Sequence, residues 1–439
     1  MSSLDKNKIA QNLSKMIQID TVKTDKLTQY EEFQKLLENL YPNIYDKGEK
    51  VIINGSLLIK IKGKNSTLKP MLVMSHTDVV EADGEWKYPA FSGEIAEGCV
   101  WGRGTVDTKG SLCAFFEATE DLLKEGFIPE SDLYLASSID EETMGEGAKS
   151  TVEYLKNNGV ELGIVLDEGG AIVESPMVGL TGWYAMLGIM EKGQANVEFI
   201  AKSLGGHAST PTNNTPIARL SAFVNEVNTK SPFKKEINKP TMDMFKEMSK
   251  SMCQPYKFLF KNVGIFSPIL KNILPKVSAQ ANAMVTTTCA FTMASGSMAP
   301  NIIPDTASVT ANMRFVIHQP MKESLKIIEG VAKKYNIEMN VLYSHDCSKV
   351  TSINSENYKY LCTCIESVFK DVRPIPYTVL AATDSRHYND ICECVVRFSP
   401  LRLNKQQLNS PHGLDENVSI DALYEATLFY RYFIENYNK

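Results

Sequence analysis

Three apolar runs in the first half of this chain each end in residues that carry chemistry. Met71-Leu72-Val73-Met74 passes straight into Ser75-His76-Thr77-Asp78. The run Asp132–Ile139 passes into Asp140-Glu141-Glu142, and Gly163-Ile164-Val165-Leu166 into Asp167-Glu168-Gly169-Gly170. Short apolar runs rich in β-branched and aromatic residues, bounded by turn residues, read as buried strands. A stretch of helical character, Ser111–Lys124 (SLCAFFEATEDLLK), separates the first two. Strands alternating with helices indicate an α/β sheet, and in open α/β sheets ligands bind at the carboxyl ends of the strands. A chain that brings a histidine and several carboxylates to three such ends is constrained to build a site along one sheet edge.

The rest of the chain divides around that pattern. Asp5 to Leu40 has apolar residues at helical spacing and predicts two helices broken near Thr21–Asp25, followed by strands at Val51–Ile53 and Leu57–Ile61. After Trp183 the texture changes. Strand Ala195–Lys202, helix Ala218–Val227, strands Ala283–Thr292 and Ala307–Ile317, helix Met321–Tyr335 and strand Glu338–Tyr343 follow in the order of a ferredoxin-like unit. Ser231–Val277, rich in Met, Lys and Phe, predicts two or three extra helices. The α/β pattern resumes with helix Asn357–Phe369, strand Val396–Pro400 and helix Ile420–Tyr437. With 439 residues, too many for one ordinary core, the expected organisation is a discontinuous α/β domain, residues 1–190 and 349–439. It is interrupted by an α+β domain, residues 191–348, which carries a helical insertion at about 231–277.

Charge and cysteine usage narrow the class. A net charge of −6 disfavours nucleic acid or an anionic membrane as the main partner, while leaving room for a local basic patch. No apolar stretch approaches the roughly twenty residues of a membrane span, and the first residues (MSSLDKNKIAQNLSKM) form a charged amphipathic pattern rather than a signal peptide. Nine cysteines without a disulfide framework fit a reducing compartment, so a cytoplasmic protein is expected. The pairs Cys362/Cys364 and Cys392/Cys394 lack zinc-site spacing and read as buried apolar fillers.

His76 and Asp78, two apart on a strand, project to the same side, so the carboxylate can stand behind the imidazole as it does behind metal-bound histidines. Asp107 follows in Gly102-Arg103-Gly104-Thr105-Val106-Asp107-Thr108-Lys109-Gly110, a loop with little side-chain bulk. His412 lies in the late loop Ser410–Glu416. Collected, His76, Asp107, Glu141, Glu142, Asp167 and His412 are the imidazoles and carboxylates that Zn²⁺ prefers. A carboxylate shared by two such ions about 3.5–4 Å apart makes a two-metal hydrolytic site, and Asp107 is the natural bridge. Of two adjacent glutamates one can ligate while the other faces the metal-bound water as general base. Taken singly each has a plainer reading: a satisfied core histidine, a solvated glutamate pair, an N-cap aspartate.

The motifs SHTDVV, GRGTVDTKG, IDEE, LDEGG, EKG, GGHAST, APNIIPD with NMRF, TDSRHY, and RFSP with PHGLDE stand in this order. Together they resemble the dinuclear zinc peptidases that include aminoacylase, acetylornithine deacetylase, succinyl-diaminopimelate desuccinylase and carboxypeptidase S, the last branch above all. The resemblance covers nearly the whole chain. It implies a zinc-exopeptidase-like catalytic domain with an inserted ferredoxin-like lid, and two zinc ions per site, with cobalt or manganese as substitutes. It implies His76 and Asp167 on one ion, Glu142 and His412 on the other, Asp107 bridging through a cis Asp107–Thr108 peptide, Glu141 as base and Asp78 orienting His76. It also implies that His207 of the lid reaches the scissile carbonyl and that Asn301 and Arg314 lie near the substrate carboxylate, with Thr383 and Arg386 in the substrate-binding loop. Ala381-Ala382 depart from the glycine many relatives carry before TDSR. The function implied is hydrolysis of an amide beside a free carboxylate, by a carboxypeptidase or dipeptidase acting on short peptides. The alternatives are a deacylase of N-acyl amino acids and, more remotely, an inactive amino-acid-binding relative. Small peptides or N-acyl amino acids are the expected partners, with no nucleic acid and no membrane, and the lid offers a route to a homodimer.

Overall fold

The computed structural model of the chain describes residues 4–24, 27–143 and 145–439. Its centre is a ten-stranded mixed sheet. In chain order the strands are β1 (Gly48–Ile53), β2 (Ser56–Ile61), β3 (Met71–Met74), β4 (Leu133–Ser137), β5 (Ile164–Asp167), β6 (Ile172–Glu174), β7 (Trp183–Glu191), β8 (Val372–Val379), β9 (Val395–Arg397) and β10 (Arg402–Leu403). Across the sheet they run β1-β2-β4-β3-β5-β9-β7-β6-β10, with β8 pairing on β7. Strands β4, β3, β5 and β9 are parallel, with Met74 opposite Ala136, Val73 opposite Leu166 and Arg397 opposite Asp167. Their carboxyl ends therefore share one edge, and the residues that follow three of them are those singled out above.

These central strands are buried on both faces, and side-chain alternation divides them between two cores. Val73, Leu133, Leu135, Ile164 and Leu166 enter the larger core, under helices Lys6–Ile17, Lys109–Lys124, Glu356–Val368 and Ile420–Glu435. Leu72, Met74, Tyr134, Ala136 and Val165 enter the other, under helix Gly147–Asn157 and the turn Asp384–Asp390. Cys364, Cys392 and Cys394 are buried in these cores, and every cysteine is a free thiol. The break between the first two helices spans Gln18 to Leu27; Asp25, at the end of the expected break, lies outside the described residues.

The inserted unit is a four-stranded antiparallel sheet in the order Thr288–Ser295, Thr306–Phe315, Gly193–Lys202, Glu338–His345. Helices Pro216–Thr229 and Met321–Lys334 cover one face around Phe199, Phe223 and Ile328. One expectation needs correction. Ala283 belongs to a helix, Ala279–Val285, not to the strand, which begins at Thr288. Ser278 caps that helix on the Ala281 N–H, and its alanines are strong helix formers, whereas the β-branched Thr286-Thr287-Thr288 turn the chain extended.

The helical insertion contains Lys239–Ser249, Tyr256–Lys261 and Val263–Val277. It packs Met244, Phe245 and Phe260 against Leu180, Tyr184 and Ile375 of the central body rather than against the four-stranded sheet. A single residue, Lys192, separates β7 from the first lid strand, and Glu191 exchanges hydrogen bonds with Ser348 on the returning chain. The two helices beneath the larger core meet where the ring of Phe115 sets its edge on Tyr430 at 5.7 Å, beside Phe116 at 5.3 Å. Phe115→Ala leaves a cavity there, at a cost of about 3–5 kcal/mol. The urea midpoint should fall accordingly with an unchanged m-value; an unmoved midpoint would show that the core closes over the gap.

Candidate active site

The sheet edge gathers loops from distant parts of the sequence. His76 lies two residues beyond β3, and Glu141 and Glu142 lie just beyond β4. Asp167 ends β5, and Ala381–Arg386 follow β8. Two further loops are tied to each other by a small sheet in which Asn417–Ser419 pairs with Cys99–Trp101. This brings the His412 loop beside the Asp107 loop.

His76 Nε2 lies 2.9 Å from one oxygen of Asp107, and His412 Nε2 lies 3.3 Å from the other. His412 Nε2 is also 3.1 Å from Glu142. Donor atoms of His76, Asp107 and Glu142 all fall within 4.8 Å of one another. One aspartate thus stands between two imidazoles, an oxygen toward each. Such a set, all nitrogen and carboxylate donors converging on one point, fits divalent ions of the zinc type. The Asp107–Thr108 peptide is cis.

Second-rank contacts hold this set in place. His76 Nδ1 lies 2.9 Å from the backbone carbonyl of Asp78 and 3.5 Å from its carboxylate. That carboxylate also accepts the backbone N–H groups of Glu141 and Glu142, at 3.2 and 3.0 Å, so Asp78 fixes the glutamate turn as well as the ring. Glu416, fully buried, accepts from Arg103 Nη1 (2.9 Å), Gly104 N (3.0 Å), Val106 N (2.8 Å) and Asp107 N (3.0 Å). Gly104 has φ +90°, and a Cβ there would stand 2.9 Å from Val79 Cγ1, so glycine alone suits the turn.

The electrostatics follow the geometry. Burial pushes the Asp107 carboxyl up, but hydrogen bonds to His412 and His76 outweigh it and hold it well below the usual range. Burial lowers His76, and its hydrogen bonds to Asp107 and Asp78 reverse this and raise it well above its ordinary value. His412 is raised to about 10 by its bonds to Asp107 and Glu142. Burial drives Glu141 and Glu168 well above the usual carboxyl range, and the surrounding carboxylates add to it.

A cavity of about 260 Å³ opens on this cluster. Asp107, Glu141, Glu142, Glu168 and His412 line it together with Arg314, Arg386, His345, Gln194 and Ala381-Ala382-Thr383. Arg314 donates through Nε to Asn312 at 3.1 Å, while its buried Nη1 has no hydrogen-bond partner among the described residues. Burial and then Arg386 lower its pKa, so two guanidinium groups act on one another across this region. Thr383 is buried and gives both N–H and hydroxyl to Glu191, each at 2.9 Å; the hydroxyl is therefore engaged in holding the loop. Arg386 Nη1 donates to the Thr383 carbonyl at 2.6 Å.

Three expected site residues stand apart from the converging group. Asp167 is buried and accepts the Ser385 N–H at 3.1 Å; its charge acts on His76, but it neither lines the cavity nor joins the close cluster. His207 and Asn301 lie at the two-stranded ribbon formed by Gly206–His207 and Ile302–Ile303, exposed and outside the cavity wall. His207 Nδ1 accepts the Ser209 N–H at 3.1 Å, and the Asn301 carbonyl accepts from Ala208. The physical reason is local: the ribbon's own pairing and the hydrogen bonds from Ser203 N–H to the Asp305 carbonyl and from Ala208 N–H to the Asn301 carbonyl hold these residues within the inserted unit. Glu168, Glu191 and Glu416 were not singled out by sequence, although LDEGG, EKG and PHGLDE contain them.

The model of Peptidase family M20/M25/M40 matches residues 72–436. Among curated proteins the chain is similar to N-fatty-acyl-amino acid synthase/hydrolase PM20D1 of Xenopus tropicalis, 33% identical over 99% of this chain and 87% of that protein. It is also similar to probable carboxypeptidase S-like 2 of Dictyostelium discoideum, 32% identical over 100% of this chain and 86% of that protein. The M20 family metallo-carboxypeptidase Sso-CP2 from Sulfolobus solfataricus shares the fold with a TM-score of 0.71 at 18% identity, covering 97% of this chain and 98% of that one. Human carnosine dipeptidase 1 gives a TM-score of 0.66 at 15% identity, covering 98% and 96%.

The raised pKa values of His76 and His412 set the sign of metal binding against pH. A cation must displace a proton from each ring, so affinity climbs as pH rises toward their pKa values. Between pH 6 and 8 the apparent Kd for Zn²⁺ should fall about tenfold per pH unit for each ring displaced. Titration calorimetry in buffers of different ionisation enthalpy counts those protons, and a pH-independent Kd would rule out both rings as ligands.

Proposed function

Because the chain belongs to Peptidase family M20/M25/M40 and is a hydrolase, we propose that it cleaves an amide bond adjacent to a free carboxylate in a short peptide, as a carboxypeptidase or dipeptidase. The observation that supports this most is Arg314 on the wall of the same small cavity as the imidazole–carboxylate cluster, its buried Nη1 without a hydrogen-bond partner among the described residues. A guanidinium fork matches a carboxylate with two hydrogen bonds. The cavity, about 260 Å³, falls just below the usual size of ligand pockets and suits a small substrate.

Family membership implies a divalent metal, and the converging donors of His76, Asp107, Glu142 and His412 fit ions of the zinc type; two of them are proposed, with Asp167, which stands apart from the close cluster, as the further carboxylate. His76 and Asp167 would hold one, Glu142 and His412 the other, and Asp107 both. When bound, such ions polarise the amide carbonyl and acidify a water. The chain's own residues do the rest. Arg314 and Arg386 orient the substrate's carboxylate, placing the scissile amide over the cluster. Glu141 lines the cavity with no hydrogen bond on its carboxylate among the described residues, its turn pinned by Asp78. A carboxyl whose pKa burial has raised takes the attacking water's proton readily and returns it to the leaving nitrogen. Asp78 keeps His76 in one ring orientation.

A second reading, deacylation of N-acyl amino acids, is favoured by the Xenopus relative, whose name specifies that substrate class. Both readings share the carboxylate and the amide. A parallel screen of free and C-terminally amidated dipeptides against N-acetyl and long-chain N-acyl amino acids separates them. Glu141→Gln should keep its metal and lose about 10²–10⁴ in kcat. Arg314→Ala should raise KM and abolish the preference for free acids over amides. Wild-type turnover in the first variant, or an unchanged preference in the second, overturns the corresponding role.

His207 and Asn301 can serve this chemistry only if the ribbon reaches a cleft, by lid closure over its own site or by a homodimer that lends it to a neighbour. Mixing inactive His207→Ala with inactive Glu141→Gln under exchanging conditions decides between them. Recovered activity means a loan between subunits; no recovery, with a monomer by light scattering, means closure within one chain.

A further inference from the structure

The helical insertion exposes what a water-soluble surface normally hides. Helix Val263–Val277 turns Val263, Leu270 and Leu274 inward onto the central body, as a surface helix should. Its outward face is apolar too. Ile265 is 76% exposed, Ile269 60%, Ile273 49% and Val277 69%, a stripe at every fourth residue along about 22 Å of helix. Phe258, 60% exposed, extends it, its ring set edge-on to Phe266 at 5.9 Å. A helix apolar on every side is ordinarily covered on every side, and a contiguous exposed patch of this kind marks an interaction surface.

The charge around the stripe says what covers it. In a chain of net charge −6, no acidic residue occurs between Glu247 and Asp305, while Lys250, Lys257, Lys261, Lys271 and Lys276 all do. Lys257, Lys261 and Lys276 are exposed and make no ion pair among the described residues. At 3.6 residues per turn Lys276 shares the face of Ile269 and Ile273, and Lys261 sits at the stripe's other end. A protein partner would meet an apolar centre within a mixed polar rim. A segment whose charged residues from 248 to 304 are all lysines, set around exposed isoleucine and phenylalanine, matches the pattern of helices that lie in the plane of a negatively charged lipid surface, ammonium groups on the headgroups and apolar side chains about 5–10 Å below. Among the described residues no helix is long and apolar enough to cross a membrane, and the association considered is with the bilayer surface.

We propose that the outer face of helix Val263–Val277, with Phe258 and Lys257, Lys261 and Lys276, docks the protein onto anionic phospholipid bilayers. The surface lies outside the cleft and does not depend on which amide is cleaved there.

The test is sedimentation of the metal-loaded full chain with large vesicles of neutral phosphatidylcholine, with and without roughly a third phosphatidylserine, each near-surface lysine being worth about fivefold in affinity. Binding should be at least tenfold tighter to the anionic vesicles and weaken with salt. Replacing the three lysines by alanine should weaken it about a hundredfold. Ile265→Asp with Ile269→Asp should abolish it, while turnover of a soluble substrate is kept, since both side chains face solvent and neither touches the cleft. No binding to either vesicle, or equal binding to both, overturns the proposal. A concentration-dependent dimer that Ile269→Asp dissolves also overturns it, because the occupant would then be a second copy.

Discussion

The carboxylate of Glu416 is the point on which the imidazole–carboxylate cluster rests. It accepts four hydrogen bonds, three of them from consecutive turns of the backbone that ends in Asp107. A buried carboxylate is costly unless its oxygens are satisfied, and here the satisfaction is what shapes the loop. The Gly102–Asp107 segment has no strand or helix of its own to fix it, so it takes its conformation from the acceptor placed inside it. Since Glu416 is four residues beyond His412, the same anchor that sets the bridging aspartate also sets the second imidazole. The two ligands are registered to each other by one side chain.

A second buried charge governs the opposite wall. Glu191, where β7 hands over to the lid, takes the Thr383 N–H and hydroxyl and pairs with the fully buried Arg397 at the end of β9. Breaking a buried pair by removing one member leaves an uncompensated charge, typically at about 3–5 kcal/mol. The arrangement makes the lid junction, the substrate-facing loop and the central sheet one electrostatic unit. Motion of the lid is therefore confined to what a single residue, Lys192, and the returning Ser348 can absorb. Lys192 itself is held by the carbonyls of Ala283 and Thr286.

What the sequence disclosed and what it did not divide along physical lines. Strands buried on both faces leave continuous apolar runs, so β3, β4 and β5 were legible, and with them the edge that carries His76, Glu141 and Glu142. Asp107 and His412 were legible only as chemistry, because nothing in a loop's periodicity says which other loop it will touch. Glu416 and Glu191 stood only inside the motifs PHGLDE and EKG: a buried acidic residue whose hydrogen-bond donors include backbone N–H groups looks in sequence like any solvated glutamate. Glu168 could have been found, since it adjoins Asp167 at a strand end and adjacent side chains there point to different walls. The insertion's packing onto the body, rather than onto the lid, was hidden because Met244 and Phe245 show an apolar face without naming its partner. The ribbon with His207 shows the reverse limit. Its motif resembles that of a site residue, yet the ribbon's pairing holds the residue exposed and outside the cavity wall.

The span between Glu416 and the loop it holds, 309 to 313 residues, bears on when the protein comes alive during its own synthesis. Asp107 is synthesised 309 residues before the carboxylate that clamps its backbone. Contacts so far apart in sequence form late, after the loop-closure entropy has been met. A nascent chain that lacks Glu416 is therefore expected to display His76 and Asp107 without the clamp that registers them. The cluster of His76, Asp107 and His412 is then expected to come into register only after Glu416 has been made and has docked into the Gly102–Asp107 loop.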